Sequence, residues 1–341
     1  MKNNSVASPI TKSALLALVE ALKGCKVVVI GDVMLDVYVR GSVSRISPEA
    51  PIPIVEISHS DRKLPGGAAN VAANITALAG ESTVIGVMGR DHPGKDLVRE
   101  LKRLRVDTGG LVTLDDRPTT EKTRVIASTQ QLVRIDREVK APLNEHQQSR
   151  IIENAIAAMA DADGVIFEDY NKGVLTQRVI REILAHAREA KKIITVDPKL
   201  HNFFEFKGVT VMKPNMKELS EALGPSAAGK DFEALGFAAM RRLKCRSLVL
   251  TRSEHGMTLF EPGQPARTIP TMAREVFDVS GAGDTVIATL TLALSAGGSL
   301  AQAAMLANYA AGIEVEKLGV ATVSPAELCE RIKEDFDDRA A

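Results

Sequence analysis

Six short β-rich runs, at 27–30, 84–88, 164–167, 193–196, 209–212 and 248–250, alternate with stretches of helical period near 67–78, 93–104, 144–159, 176–190 and 231–243. Such alternation predicts an α/β fold, a mostly parallel central sheet covered by helices on both faces in a three-layer sandwich. Ligands of such folds bind beyond the carboxyl ends of the strands, so the residues that follow each strand carry the functional information. Two segments, 37–57 and 121–135, break the alternation, with β-type runs such as Ile52-Pro53-Ile54-Val55-Glu56-Ile57 and Thr123-Arg124-Val125-Ile126-Ala127-Ser128 and no helix between them. They predict either a small β-sheet lid over the carboxyl edge or a pair of edge hairpins. A sheet this small is an insufficient core by itself, so a homodimer through the lid is expected.

The 341 residues form one unit, 1–341, with no linker-like stretch. Its 43 basic and 43 acidic residues balance without a basic stripe, which argues against a nucleic acid or an anionic membrane as the main partner. Lys and Arg can then be weighed singly, as ligands for a small anion. Aromatic residues are 4% of the chain and Trp is absent, so sugar recognition would have to be polar. Cys25, Cys245 and Cys329 have no zinc-type spacing and fit a reduced cytoplasmic protein, while the six histidines form no metal-ligand pair. No direct protein ligand for a metal is expected. The apolar stretch at 14–22 is interrupted by Glu20 and reads as an amphipathic helix ended by Gly24, not as a leader. No segment has the ~18 uninterrupted apolar residues of a membrane span. The acidic end, 334–338, is expected to be frayed and solvated after a helix announced by Ser324-Pro325-Ala326-Glu327.

The chemistry is written most plainly in Asp278-Val279-Ser280-Gly281-Ala282-Gly283-Asp284, which opens an apolar helical run. First-turn N–H groups lack intrahelical partners and the helix dipole adds positive charge, so a phosphate is held there without a side-chain cation. Small residues at 281–283 let it approach, and the Asp284 carboxylate beside it suits the removal of a proton from an attacking hydroxyl. The same run could be only a glycine-rich helix start capped by Ser280 or Asp278. Two runs imitate a Walker A loop, 89–96 and 224–231, but each ends in Asp where Mg2+ needs a Ser or Thr hydroxyl. Gly66-Gly67-Ala68-Ala69-Asn70 is a second glycine turn opening a helix, and Asp36 follows the first strand, where it could accept bonds from two sugar hydroxyls.

Together, Gly66-Gly67-Ala68-Ala69-Asn70 and Asp278-x-x-Gly281-Ala282-Gly283-Asp284 resemble the two signatures of the ribokinase (phosphofructokinase-B type) sugar kinases, and the similarity runs from Val27 to about Leu318. The resemblance implies a ribokinase-like fold with a lidded sugar pocket and ATP outside it. It makes Asp284 the catalytic base within an anion hole of Gly281, Ala282 and Gly283, and it makes Asp36, Gly66, Gly67 and Asn70 sugar-binding. Asn215-Met216-Lys217-Glu218 is similar to the family's N-x-x-E motif, which implies Mg2+ held through ATP phosphates near Glu218, although N-x-x-E is also an ordinary helix start. Thr251, Ser253 and Gly256 resemble the nucleotide-side T-x-G-x-x-G pattern, with Ser253 in place of a glycine. A monovalent cation beside the anion hole is an open addition to ATP and Mg2+.

Within the family, the runs at 44–51, 130–136 and 169–173 look like those of kinases acting on D-glycero-D-manno-heptose 7-phosphate. In that group the product is the 1,7-bisphosphate, on the route to the nucleotide-activated heptose of bacterial lipopolysaccharide. A substrate that already carries a phosphate needs cations at its far end, and Arg134, Arg137, Lys172 and Lys199 are the candidates. Fructose 6-phosphate, ribose or a nucleoside are alternative acceptors, and a sugar-binding regulator without turnover is the alternative class. Related bifunctional proteins carry an attached nucleotidyltransferase domain, which is not expected in this chain.

Overall fold

The computed structural model describes residues 10–57, 61–127, 130–317 and 319–338; residues 128 and 129 of the second expected lid segment lie outside them. The chain runs α1 (Lys12–Ala21), β1 (Lys26–Gly31), β2 (Val33–Ile46), β3 (Pro53–Ile57), β4 (Arg62–Gly67), α2 (Ala68–Ala77), β5 (Glu81–Gly89) and α3 (His92–Arg103). There follow β6 (Leu111–Leu114), β7 (Thr120–Ala127), β8 (Gln130–Arg137), α4 (Glu145–Met159), β9 (Gly164–Glu168), α5 (Gln177–Glu189), β10 (Ile193–Asp197) and β11 (Val211–Met212). The last third is α6 (Met216–Leu223), α7 (Phe232–Leu243), β12 (Ser247–Thr251), β13 (Met257–Phe260), β14 (Arg267–Ile269), α8 (Ala282–Ser295), α9 (Leu300–Val315) and α10 (Pro325–Asp338).

Nine strands form the main sheet in the order β14-β13-β12-β11-β10-β9-β1-β5-β6. From β12 to β6 every neighbour is parallel, and β13 and β14 close one edge antiparallel. The alternation of side chains along β1 shows why both faces are covered. Val27 and Val29 enter an apolar cluster with residues of α1, α2, α8, α9 and α10, whereas Val28 and Ile30 enter a second with α4, α5, α6 and α7. Each such side chain removed from water contributes about 1.5–3 kcal/mol. The expected helices lie within one residue of the observed α2, α3, α4, α5 and α7. Caps set several of these starts, for Asp91, Asn144, Thr176 and Asp231 each accept a first-turn N–H.

The second sheet has five strands, β3-β2-β7-β8 with β4 also on β2. It contains the two expected lid segments together with a strand the sequence reading lacked. β4 reads Arg-Lys-Leu-Pro-Gly-Gly, which is poor in strand formers, and it is a strand because its register with β2, Val33↔Gly67 to Tyr38↔Arg62, supplies the pairing. The registers Asp36↔Lys122, Tyr38↔Arg124 and Arg124↔Arg134 put these polar residues on one face. The other face carries Leu35 and Val37 into the core and then, farther out, the exposed Val43, Ile57, Val133 and Ile135.

The acidic C-terminal end is not frayed. α10 docks through Tyr309 Oη to Asp335 at 2.7 Å, Arg274 to Glu334 at 2.8 Å and Lys12 to Asp337 at 2.6 Å, because the acidic face meets cations and a hydroxyl from elsewhere in the chain. Among the described residues no helix is long and apolar enough to cross a membrane.

Candidate active site

Asp284 lies in the first turn of α8, whose cap, Gly281, has φ +99° and offers no side chain to the helix start. α2 starts the same way, on Gly67 at φ +57°. The two bare ends are tied together: Asn70 Nδ2 donates to Asp284 Oδ2 at 2.8 Å, and Thr285 Oγ1 donates to Asn74 Oδ1 at 3.2 Å. The other Asp284 oxygen accepts Tyr170 Oη–H at 2.8 Å. Burial pushes the Asp284 carboxyl up to about 6 against these two hydrogen bonds, so it sits between acid and base near neutral pH.

Tyr170 is delivered by a turn wound on one buried carboxylate. Asp32, just after β1, accepts the N–H groups of Tyr170 at 2.9 Å, Lys172 at 3.0 Å and Val174 at 3.3 Å. Arg117 holds the turn with its guanidinium, which donates to the carbonyls of Lys172, Val139 and Ala141. Neither Tyr170 nor these supports was expected from the sequence, although the rule that ligands sit beyond strand ends points straight at residues 168–170.

The same rule points at Glu168 and Asp197. They are register partners at the ends of β9 and β10, so their side chains share a face, and with Asp284 they bring carboxylate oxygens within 4.8 Å of one another. Lys213, after β11, donates into the cluster at 2.8 Å from Asp197. Burial pulls the Lys213 ammonium down, but Asp197, Glu168 and Glu218 together outweigh it and leave it raised; burial, then Asp197 and Asp284, push Glu168 well up. Glu168 Oε2 and Asp197 Oδ1 are buried without a hydrogen-bond partner. Hard oxygen donors with unused acceptor capacity fit a divalent cation of the Mg2+ type. The sequence expected such an ion only through phosphates near Glu218, yet both Glu218 oxygens are engaged, one by Lys199 and one by the Asn215 N–H.

On the lid side Asp36 accepts from Arg124, whose guanidinium also lies 5.2 Å over the Tyr38 ring. Gly66 is required there, for a Cβ would stand 2.3 Å from Asp36 Oδ2. The four expected cations do not converge. Lys172 reaches this rim and pairs with Glu138 at 2.6 Å. Lys199 goes to Glu218 and over the Tyr170 ring, where Asp197 and Glu218 more than offset the burial that would lower its ammonium. Arg134 is half exposed and bound to Asp136 at 2.8 Å. Arg137, opposite Glu121, is on the other face of the lid from Asp36, because side chains alternate along β8. The lid arginine that meets Asp36 is Arg124.

On the far side, Asn215 and Glu218 form a reciprocal capping box at the start of α6, and Asn215 bridges to Thr251. Beside them opens a pocket of about 470 Å³, with Asn215, Thr251, Arg252, Ser253 and His255 in its wall. Ser253 holds φ +51°, a left-handed conformation that glycine adopts freely and serine at a cost of about 1–2 kcal/mol. Gly256 has φ +73°, and a Cβ there would meet Ile269 O at 2.1 Å.

The family model described as pfkB family carbohydrate kinase matches residues 25–327, a span that includes the bare helix start, its buried acid and the small sheet. The chain belongs to that family. It is 45% identical over 91% of its length to a protein of Desulfatibacillum aliphaticivorans named "Bifunctional protein HldE", and 43% identical over 92% of its length to the protein of that name in Shewanella amazonensis. It spans 63% and 64% of those two relatives. Among solved structures, phosphofructokinase-2 from Escherichia coli in complex with potassium matches with a TM-score of 0.73 at 19% identity, over 92% of this chain and 99% of that one. Ribokinase from Arabidopsis thaliana complexed with ribose and ATP matches with a TM-score of 0.69 at 19% identity, over 91% and 99%. The fold is ribokinase-like.

Proposed function

We propose that the chain transfers the γ-phosphoryl group of ATP to the anomeric hydroxyl of D-glycero-D-manno-heptose 7-phosphate, forming the 1,7-bisphosphate. The observation that carries this reading is Asp284, a buried carboxyl raised to about 6 and held by Asn70 and Tyr170 at an uncapped helix start. The heptose acceptor is supported by the runs at 44–51, 130–136 and 169–173 and by the relatives named HldE, whereas the fold is shared with kinases of other sugars.

In this reading Asp36 and Asn70 fix sugar hydroxyls under the polar face of the lid, and Asp284 orients the anomeric hydroxyl and takes its proton as the oxygen attacks phosphorus. An anomeric hydroxyl is more acidic than an ordinary alcohol, so a carboxylate suffices as base. The N–H groups at 281–284 and the dipole of α8 stabilise charge on the transferring group. Glu168 and Asp197 are the oxygen donors that would hold a Mg2+ ion or its waters, which would neutralise charge on the ATP phosphates. The nucleotide belongs beside Thr251 and Ser253, and a cytoplasmic setting follows from an ATP donor. A second copy of the chain on the exposed lid residues Val43, Ile57, Val133 and Ile135 completes the proposal.

The test is ADP release with MgATP against heptose 7-phosphate, fructose 6-phosphate, ribose, fructose and adenosine. Preference for heptose 7-phosphate is expected. Preference for another acceptor would discard the substrate but keep Asp284 as base, and silence with all of them would favour a regulator.

A further inference from the structure

Five charged side chains on the lid rim, Lys122, Asp136, Glu138, Lys140 and Lys172, have no part in the chemistry above. Lys122 lies in β7 as the register partner of Asp36, on the same face, and its Nζ reaches Asp136 at 3.1 Å and Glu138 Oε2 at 3.7 Å. Lys172 comes from the turn that also carries Tyr170, and its Nζ reaches the same Glu138 Oε2 at 2.6 Å. Two ammonium groups from separate parts of the chain therefore converge on one carboxylate oxygen. All three side chains are nearly buried, with 12–13% exposure. The other oxygen, Glu138 Oε1, is 3.2 Å from Lys140 Nζ, which is 66% exposed. Burial raises the Glu138 carboxyl, but Lys172, Lys140 and Lys122 outweigh it and hold it below the usual carboxylate range.

We propose that Lys122 and Lys172 are the seat for a phosphate at the far end of the acceptor, and that the Glu138 carboxylate occupies this seat until a phosphorylated sugar displaces it toward Lys140. The inference rests on the kinase reading above and names the determinant of its acceptor class. The placement suits one small molecule. Tyr170 touches Asp284, and Lys172 is two residues further along the same turn, so the Cα atoms of the two residues are at most about 7 Å apart. Lys122 lies beside Asp36 in the neighbouring strand, so one end of an acceptor can meet the base while the other meets the lysines. The exchange also discriminates. A phosphate dianion competes for two ammonium groups with more charge than a carboxylate, whereas an unphosphorylated sugar leaves the Glu138 contacts intact. Arg134 also meets Lys122, on Asp136 Oδ2, but its side chain is half exposed, and Lys199 and Arg137 have no such convergence.

The experiment compares Lys122→Met, Lys172→Met and Glu138→Gln with wild type, by steady-state kinetics and by calorimetric binding of heptose 7-phosphate and of the unphosphorylated heptose to the full chain. Each lysine variant is expected to raise KM and Kd for the phosphorylated sugar roughly tenfold or more, with kcat and binding of the unphosphorylated sugar little changed. Glu138→Gln removes the competitor and is expected to lower both constants; a merely structural ion pair would leave them unmoved or raised. Unchanged affinity in both lysine variants, or a raised KM in Glu138→Gln, overturns the inference while leaving the kinase reading intact. Absence of turnover in wild type would instead remove the kinase reading, and the calorimetric comparison would still decide the seat.

Discussion

Of the ten α-helices among the described residues, α2 and α8 start on a glycine that gives the helix no side-chain cap. The other eight start on Thr11, Asp91, Asn144, Thr176, Asn215, Asp231, Ser299 and Ser324, whose side-chain oxygens accept a first-turn N–H. A cap stabilises a helix by about 1 kcal/mol, so the two bare starts forgo a contribution made at the other eight α-helices. They are also the two that meet, through Asn70 and Asp284. Under the proposed function, side-chain caps are missing where ligand is handled, the sugar at α2 and the transferring phosphate at α8, and present where only folding is at stake; the Ala68 N–H of α2 goes instead to the Asp32 carbonyl. α6 is the intermediate case, with its capping box beside the proposed nucleotide pocket.

The most damaging break of this contrast is at Asp284. Replacement by Asn keeps the size and the helix but removes the base, and kcat should fall roughly 10³-fold or more with ATP binding nearly intact. Near wild-type turnover would remove Asp284 from the mechanism. In the unmodified protein the base must be ionised, so kcat/KM should fall tenfold per unit as pH drops below about 6, where burial has placed the carboxyl. A flat acid limb would show that some other group controls the rate.

Next in size is Gly281→Ala. At φ +99° an L side chain is strained by about 1–2 kcal/mol, and its Cβ would lie 3.2 Å from Glu314 Oε1 and 3.3 Å from Asn70 Nδ2. Crowding Asn70 displaces the group that holds Asp284, so a fall of about 10²-fold in kcat is expected along with a lower Tm. Stability loss without loss of kcat would mean that this glycine serves only the backbone.

The bare starts themselves were readable, because glycine next to an acid at the head of an apolar run is a local pattern. Helix bounds were readable for the same reason, through caps a few residues away. What could not be read is what touches across the fold. Tyr170 and Asp284 are 114 positions apart and Asp36 and Arg124 are 88 apart, so nothing in the neighbourhood of either announces the other. Glu168 and Asp197 face the same way only because β9 and β10 pair in a particular register. The expected phosphate-binding cations suffered most, since a charge in a sequence carries no direction. Alternation along β8 turned Arg137 away, and Glu218 claimed Lys199. The antiparallel edge of β13 and β14 was missed because short strands of three and four residues give too little periodicity to distinguish.

A smaller effect sharpens the contrast from beside Gly281, behind the proposed anion hole. Glu314 is fully buried there, and burial, aided by nearby Asp284 and Asp278, pushes its carboxyl from an ordinary 4.5 up to about 8. A folded-state value above the unfolded one stabilises fully below 4.5, and that contribution is lost as pH rises through about 8. The neutral acid also spares the hole a negative charge. Glu314→Gln should therefore lose less Tm than wild type between about pH 6 and about pH 9, and keep more of its turnover at the alkaline end. Parallel pH profiles for the two proteins would mean that Glu314 does not titrate there.

The smallest expected change is at a capped start, Ser299→Ala. Ser299 Oγ accepts the Gln302 N–H at 3.3 Å, and Gln302 Oε1 accepts the Ser299 N–H at 3.0 Å, so the cap satisfies donors at both ends of its box. The variant should lose about 1 kcal/mol in denaturant unfolding, with kcat and both KM values unchanged. This near-silence in turnover is what gives the losses at Asp284 and Gly281 their meaning. A cap substitution on α9 that lowered kcat as Gly281→Ala does would show that any disturbance of a helix start reaches the chemistry, and the distinction between caps for stability and bare ends for ligand would fall.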